Sequence, residues 1–173
     1  ILRPICAEDF PKIVEWSNLE EINRFAEGDY PKELSECPDW LRRSQSNRYQ
    51  ERMAITLNDR IIGDIELDQI TWRSGDAELR VRIGESHLWD RGLGTDAVIT
   101  LLKFAFYRMN LNRVFLKVYA DNHRALRCYQ KVGFKKEGRL SRGKRDADFR
   151  EIILMRILKD EFGRRHNILD NVG

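Results

Sequence analysis

Alternating apolar and polar residues in the first half of the chain predict a set of antiparallel strands. The alternation runs through residues 53–57 and again through 61–67, and Asn58-Asp59 between them are typical turn residues. These segments therefore predict a β-hairpin. A third alternating run, residues 77–83, predicts a further strand after a turn at 71–76.

The apolar period changes to that of a helix after this third strand. One face of the predicted helix carries Val98, Leu101, Leu102, Ala105 and Met109. Alternation returns in residues 113–119, which predicts another strand. Because a helix that joins two strands usually forms a right-handed crossover, we expect this strand to lie parallel to residues 77–83.

The remaining segments complete one α/β (α+β) domain. The sequence predicts, in order, a strand at 1–5, a helix beginning at Ala7, an irregular segment at 18–38, a short helix at 39–46, a helix capped by Asn122 and ending at Gly133, and a closing hairpin of 135–142 and 149–158 around Arg142-Gly143-Lys144. We expect a single domain over residues 1–160 and a polar tail over 161–173.

Charged residues alternate along two neighbouring predicted strands. Those that share a strand face are Asp64, Glu66 and Asp68 on one strand and Glu78, Arg80 and Arg82 on the next. Side chains that face each other across an antiparallel pair interact, so we expect opposite charges to pair there.

The composition is that of a globular protein, with 42% hydrophobic and 34% charged residues in 173. No apolar run approaches the roughly 20 residues of a membrane span, and residues 1–9 lack a signal-peptide pattern. Cys6, Cys37 and Cys128 form an odd, scattered set, which favours a reducing compartment. We expect a cytoplasmic protein with no membrane association and, since the cysteines and histidines lack ligand spacing, no bound metal.

The net charge of +3 is small, but the charges are unevenly distributed. An acidic stretch holds Glu20, Glu21, Glu27, Asp29, Glu33, Glu36 and Asp39, whereas basic residues predominate in residues 127–150. Such runs are usually solvated faces. The basic region raises the alternative of a nucleic-acid-binding module, but it carries no recognised motif or aromatic platform, so we expect no nucleic-acid partner.

The most informative segment is a glycine-rich turn at residues 88–97, between the third strand and the long helix. The first N–H groups of a helix lack internal partners and its dipole is positive there, so the turn suits a phosphate. Gly92 and Gly94 let a ligand approach the backbone, and Arg91 can add a charge. One alternative is a plain tight turn. Another is a dinucleotide-binding fingerprint, since Gly92, Gly94 and Ala97 match G-x-G-x-x-A.

A second motif lies on the helix that follows the parallel strand. Residues 122–134, Asn-His-Arg-Ala-Leu-Arg-Cys-Tyr-Gln-Lys-Val-Gly-Phe, resemble the N-x-x-A-x-x-x-Y-x-K-x-G-F helix of the GNAT acyl-CoA N-acetyltransferases. The glycine turn precedes it in the same order and spacing. The resemblance covers nearly the whole chain and points to the branch with ribosomal-protein N-terminal and spermidine acetyltransferases. Trp89 departs from the pattern, which usually has glutamine or arginine there.

This resemblance implies the GNAT fold, a central mixed, mostly antiparallel sheet of about seven strands with helices on both faces. It argues against the dinucleotide interpretation, because that fold places its fingerprint in the first βα turn of a longer run of parallel strands.

The resemblance also implies acetyl-CoA as co-substrate. Its binding would fall to Arg82, Ile83, Arg91, Gly92, Leu93, Gly94, Thr95 and Asn122, with residues 91–95 holding the pyrophosphate. Arg82 and Ile83 would pair with the pantetheine arm like an added strand. A plain helix cap is the equal alternative for Asn122.

Tyr129 is the candidate for the chemical step. A phenol has a pKa of about 10, so it is protonated at neutral pH and has a proton to give. It can transfer this proton to a departing thiolate, whose conjugate thiol has a pKa of about 8.5. The alternative is packing, because Ala125, Tyr129 and Val132 form an apolar stripe.

Glu78 is a tentative base for the amine proton, since its strand leads to the glycine turn. A place in the charge ladder is the favoured alternative for Glu78, and a water relay would also serve as base. Cys128 suggests an acyl-cysteine route, but it points about 100° away from Tyr129 on a helix. We therefore expect direct attack in a ternary complex.

The acceptor is expected to be a small-molecule or peptide amine. If the acidic stretch faces the groove, it favours a small cationic, polyamine-like amine. The alternatives are a protein N-terminal α-amine as acceptor and a non-catalytic acyl-CoA-binding domain. The sequence is also compatible with a homodimer.

Overall fold

The computed structural model describes residues 1–26, 28–142 and 150–167. Its strands are β1 Leu2–Pro4, β2 Glu51–Leu57, β3 Arg60–Thr71, β4 Asp76–Ile83, β5 Arg113–Tyr119, β6 Lys135–Arg142 and β7 Arg150–Leu158. Its helices are α1 Phe10–Asn18, α2 Glu20–Asn23, α3 Cys37–Ser46, α4 Leu93–Tyr107, α5 His123–Val132 and α6 Lys159–Arg165. Within the described ranges, no helix has the length and apolar character needed to cross a bilayer.

The strands form one seven-stranded mixed sheet of order β1-β2-β3-β4-β5-β7-β6, as the resemblance implied. β4 and β5 pair in parallel, as predicted, and the other pairs among described strands are antiparallel. The predicted hairpin joins β2 to β3, and its turn residues Asn58 and Asp59 have the positive φ angles that such a turn needs.

The parallel pair separates soon after it forms. Its register covers Asp76 with Arg113, Ala77 with Val114, and Glu78 with Phe115, and no later pairing between these strands occurs in the described residues. β4 nevertheless continues to Ile83 and β5 to Tyr119. The sheet therefore opens between the carboxyl ends of its two parallel strands.

Hydrophobic clusters cover both faces of the sheet. Neighbouring residues of β2 point to opposite faces, and Ala54 packs with Trp16 of α1 and Trp40 of α3, while Ile55 belongs to the cluster that includes Leu101 of α4. The sheet thus lies between helices, and side-chain burial on both faces fixes its strands.

The predicted charge ladder is present between β3 and β4. Asp64 faces Arg82 and Glu66 faces Arg80, and Arg82 Nη2 lies 2.6 Å from Asp64 Oδ2. Glu66 also pairs with Arg52 of β2. Because Asp64 and Glu66 are both nearly inaccessible to solvent, these pairs satisfy charges that burial would otherwise penalise.

The prediction of a polar tail from residue 161 is wrong for its first residues. α6 begins at Lys159, and Phe162 is fully buried with its ring 5.5 Å from that of Phe106. One large apolar side chain is enough to dock this short helix, although its other residues are mostly polar. The domain therefore continues past residue 160. Residues 168–173, and the hairpin turn predicted around Gly143, lie outside the described residues.

Candidate active site

A cavity occupies the opening between β4 and β5. Its lining comprises Glu21, Ile22, Phe25 and Ala26 near α2; Val81, Arg82 and Ile83 of β4; Leu88, Trp89, Asp90, Gly92, Leu93, Gly94 and Thr95 around the start of α4; Lys117, Val118 and Tyr119 of β5; and Asn122, Arg124, Ala125, Arg127, Cys128, Tyr129 and Lys131 around α5. Two helix N-termini thus border one cavity at the carboxyl ends of parallel strands, which is where α/β sheets usually bind ligands.

The glycine turn presents backbone donors to this cavity. Asp90 and Gly92 have φ angles of 59° and 80°, a left-handed conformation that aspartate tolerates and glycine favours. The first helical hydrogen bond of α4 runs from the Asp96 N–H to the Gly92 carbonyl at 3.0 Å. The N–H groups of residues 93–95 precede this bond, so they have no partner within the helix.

The protein around Gly94 does not require a glycine there. Its φ angle does not require glycine, and an added Cβ would meet only Ile83 Cγ1, at an ordinary 3.8 Å. An added Cβ at Gly92 would meet no protein atom within 4 Å. Packing therefore demands neither glycine. Bare backbone at a helix N-terminus fits the pyrophosphate of a nucleotide such as CoA.

Trp89, the departure from the family pattern, braces the cavity wall. Its indole N–H donates to the Ile83 carbonyl at 2.9 Å, and the Arg124 guanidinium lies 3.5 Å from the centre of its ring. Trp89 therefore joins the end of β4, the glycine turn and α5. The Ile83 carbonyl oxygen therefore already accepts one hydrogen bond. This leaves fewer backbone acceptors at the end of β4 for the predicted pairing with pantetheine.

α5 places Tyr129 in the cavity lining. Asn122 Oδ1 accepts a hydrogen bond from the Ala125 N–H at 3.2 Å, so the predicted cap is present, and Asn122 also borders the cavity. Tyr129 is only 6% exposed, and its ring packs edge-on against Phe134 at 5.7 Å. The residue thus packs in the core while facing the cavity, which is compatible with both predicted roles.

Cys128 is poorly suited to act as a nucleophile. Burial raises the pKa of its thiol, although the Thr95 hydroxyl donates a hydrogen bond to Sγ at 3.3 Å. A thiol with a raised pKa forms little of the thiolate that nucleophilic attack requires. The contact instead ties the start of α4 to α5.

Basic residues on α5 were not recognised from the sequence as part of the site. Arg124, Arg127 and Lys131 follow one helix face and border the cavity. Arg127 pairs with Asp90 at 3.5 Å, and burial lowers the pKa of Arg124. The i, i+3, i+7 spacing is the available signal. The basic run of residues 127–150 predicted only a solvated face or a nucleic-acid surface, and it does not include Arg124.

Two predicted site residues do not reach the cavity lining that the described residues form. Arg91 is exposed on the turn. Glu78 is 1% exposed and held by Arg80 at 2.7 Å and by Lys117 at 3.0 Å. Its contacts favour the charge-ladder interpretation. Its partner Lys117, on β5, borders the cavity, as does Arg82 of the ladder.

The acidic stretch contributes little to the cavity. Of its described members, Glu21 alone lines it. Asp29 and Asp39 pair with Arg43 and Arg42, and Glu36 accepts the Lys32 backbone N–H at 2.7 Å. Glu27 lies outside the described residues. Glu21 with Ile22, Phe25 and Ala26 forms what we call the α2 wall.

Comparisons with known proteins identify the family of this chain. A family model described as acetyltransferase (GNAT) domain matches residues 1–135. The spermidine N(1)-acetyltransferase of Escherichia coli K12 is 25% identical over 139 residues, which cover 80% of this chain and 74% of that protein. The "uncharacterized N-acetyltransferase p20" of Bacillus licheniformis is 25% identical over 93% of both chains.

A solved structure has a similar fold. The spermidine N-acetyltransferase of Vibrio cholerae in complex with CoA and spermine superimposes with a TM-score of 0.83 at 22% identity, covering 94% of this chain and 96% of that one.

Proposed function

Because this chain belongs to the acetyltransferase (GNAT) domain family, we propose that it transfers the acetyl group of acetyl-CoA to a primary amine in the cavity between β4 and β5. The observation that carries this proposal is the shared cavity. The backbone donors of the glycine turn and the Tyr129 side chain border the same space. GNAT acetyltransferases use acetyl-CoA, which supplies an acetyl group activated as a thioester.

The glycine turn would hold the pyrophosphate. The N–H groups of Leu93, Gly94 and Thr95 point out of α4 without helical partners, and the helix dipole favours negative charge there. The basic face of α5, formed by Arg124, Arg127 and Lys131, would add direct charge for phosphate groups. Asn122, Arg82 and Ile83 also border the cavity, and the pantetheine arm would lie beside them.

Tyr129 would act as the proton donor. In direct attack the amine nitrogen bonds to the acetyl carbon, the carbon–sulfur bond breaks, and the departing sulfur takes the phenolic proton. The resulting phenolate then takes a proton from the attacking nitrogen or from solvent, so the protons balance. The buried ion pairs of Glu78 favour a water relay over this carboxylate for the amine proton.

We propose a small cationic amine of the polyamine type as acceptor. Glu21 places a carboxylate on the α2 wall, where it would attract an ammonium group. The named activity of the Escherichia coli and Vibrio cholerae proteins on spermidine supports the same class.

The test combines binding with turnover. Acetyl-CoA should raise the melting temperature, and spermidine should then cause release of free CoA thiol together with one acetylated amine per thiol. Stabilisation without release for any amine would leave only an acyl-CoA-binding domain. Faster release with peptide N-termini than with polyamines would move the acceptor to protein α-amines.

Ionic strength tests the charge of the acceptor. For an ammonium attracted by Glu21, kcat/KM should fall as salt rises, since screening shortens the field to about 10 Å at 0.1 M. A neutral amine that outperforms every polyamine, with no salt dependence, would contradict the cationic acceptor.

A further inference from the structure

One guanidinium ties the α2 wall to the sheet. Arg150, at the start of β7, donates from Nη1 to the Arg24 carbonyl oxygen at 2.7 Å, across 126 residues of sequence. Its Nη2 lies 3.4 Å from Asp121 Oδ1, just beyond the end of β5. The residue after Arg24 is Phe25 of the α2 wall. Arg150 therefore connects the wall to the strand that forms the other side of the cavity.

The same guanidinium also stacks on the aromatic residues of this region. It lies 3.5 Å from the centre of the Tyr119 ring and 5.4 Å from that of Phe25, and the two rings are 6.4 Å apart. Both rings border the cavity. The guanidinium thus stacks on two aromatic rings, one from each side of the cavity, while its N–H groups bind the Arg24 carbonyl oxygen and Asp121.

Asp121 completes the link. It pairs with Arg24 Nη2 at 3.3 Å as well as with Arg150. Burial alone would raise the pKa of Asp121, but the two guanidinium groups outweigh this effect and lower it. The carboxylate is therefore ionised at neutral pH and holds both arginines at the end of β5.

We propose that Arg150 is a positioning residue for the acceptor amine, because it holds Phe25 beside Tyr119 and so sets the width of the cavity at the α2 wall. This inference rests on the proposed function, since the wall is assigned to the acceptor. Only arginine offers two donor edges and a stacking face at once. Lysine keeps the charge but loses this combination.

Kinetics of Arg150→Lys and Arg150→Gln test the role. The KM for spermidine should rise roughly tenfold because the α2 wall is no longer held by the Arg150 hydrogen bonds, while kcat and the KM for acetyl-CoA stay within twofold. Arg139→Lys is the matched control, because Arg139 pairs with Glu151 on the same hairpin and lies outside the cavity lining of the described residues. A spermidine KM within twofold of wild type, or an equal rise in the acetyl-CoA KM, would overturn the proposal.

Hydrogen exchange gives a readout that does not need the acceptor. In the protein without added amine or acetyl-CoA, amides of residues 20–26 should exchange about tenfold faster in Arg150→Lys than in wild type, with α5 unchanged. Unchanged exchange at residues 20–26 would refute the link itself. If wild type does not acetylate spermidine but the exchange result holds, the proposed acceptor fails while the link stands.

Discussion

The glycine turn and the α2 wall border one cavity, but they are held in different ways. The turn depends on two left-handed residues, Asp90 and Gly92, and on the start of the helix that follows directly. The α2 wall depends on contacts between distant segments, such as Arg24 with Asp121 across 97 residues. The turn is therefore encoded within a short motif, whereas the wall exists only once the sheet has formed.

This difference matches what each side would recognise. A pyrophosphate is the same in every acyl-CoA, and backbone N–H groups at a helix start bind it without side-chain specificity. The wall uses partly exposed ion pairs and aromatic stacking, which individually contribute little to stability and change readily with sequence. We expect binding of acetyl-CoA to depend on the turn and choice of acceptor to depend on the wall.

Gly94→Glu gives the largest expected effect and tests the turn. The new carboxylate would occupy the space above the helix N-terminus and repel phosphate, so the thermal stabilisation by acetyl-CoA should disappear. Gly94→Ala should fold normally, because the added Cβ meets Ile83 only at van der Waals distance, but it should lose part of the stabilisation since the methyl group would hold the phosphate away from the backbone. Gly92→Glu should also abolish it, although the positive φ of Gly92 adds strain there. Full stabilisation in Gly94→Glu would remove the phosphate from the turn.

Tyr129→Phe separates chemistry from binding at both sides of the cavity. Loss of a positioned proton donor should lower kcat roughly 100-fold, about 2.7 kcal/mol of transition-state stabilisation. The KM values for acetyl-CoA and amine should change little, since the ring and its packing on Phe134 remain. Steady-state rates decide: a kcat within twofold of wild type would assign Tyr129 to packing alone.

Glu78→Gln asks whether the ladder supports the fold or the reaction. Removing a buried charge that holds Arg80 and Lys117 should cost about 2 kcal/mol after allowing for their partial exposure, which lowers the melting temperature by several degrees. At saturating substrate, kcat should stay within about threefold. Glu137→Gln is the control, because Glu137 forms an exposed pair with Arg113. A fall in kcat near 100-fold with unchanged stability would make Glu78 the base.

Cys128→Ala carries the smallest expected effect. Direct attack needs no thiol, so turnover should stay within about threefold of wild type. An acetylated residue 128 in mass spectra of the wild-type protein, together with loss of turnover in the variant, would establish an acyl-cysteine route instead.

The parts of the molecule that the sequence predicted are those governed by local pattern. Alternation and the helical period were sufficient for the hairpin, the parallel pair and the crossover helix. They also predicted that opposite charges pair between β3 and β4, which holds for Asp64 and Glu66, whereas Asp68 faces the acidic Glu78. The resemblance then implied that the strands form one mixed sheet of about seven strands, which is the sheet observed. Phe162 was missed because a single apolar residue gives no period, although one such residue is enough to dock α6.

The candidate site divides in the same way, into residues of short motifs and residues whose place depends on distant contacts. Gly92, Gly94 and Tyr129 belong to short motifs and border the cavity, while their roles there stay predictions. The acidic stretch was identified as a group, but which of its carboxylates faces the cavity depends on partners such as Arg42 and Arg43, which no spacing reveals. Arg150 carried no signal at all, since its partners are far away in sequence.

The central claim is that the glycine turn and the α2 wall serve one cavity that holds acetyl-CoA and amine together. Initial rates measured over a grid of acetyl-CoA and spermidine concentrations test this most directly. A ternary complex predicts double-reciprocal lines that intersect, and acetylated amine should form only when both substrates are present. Parallel lines, with CoA released before any amine is added, would show that the substrates bind in turn and would contradict the claim.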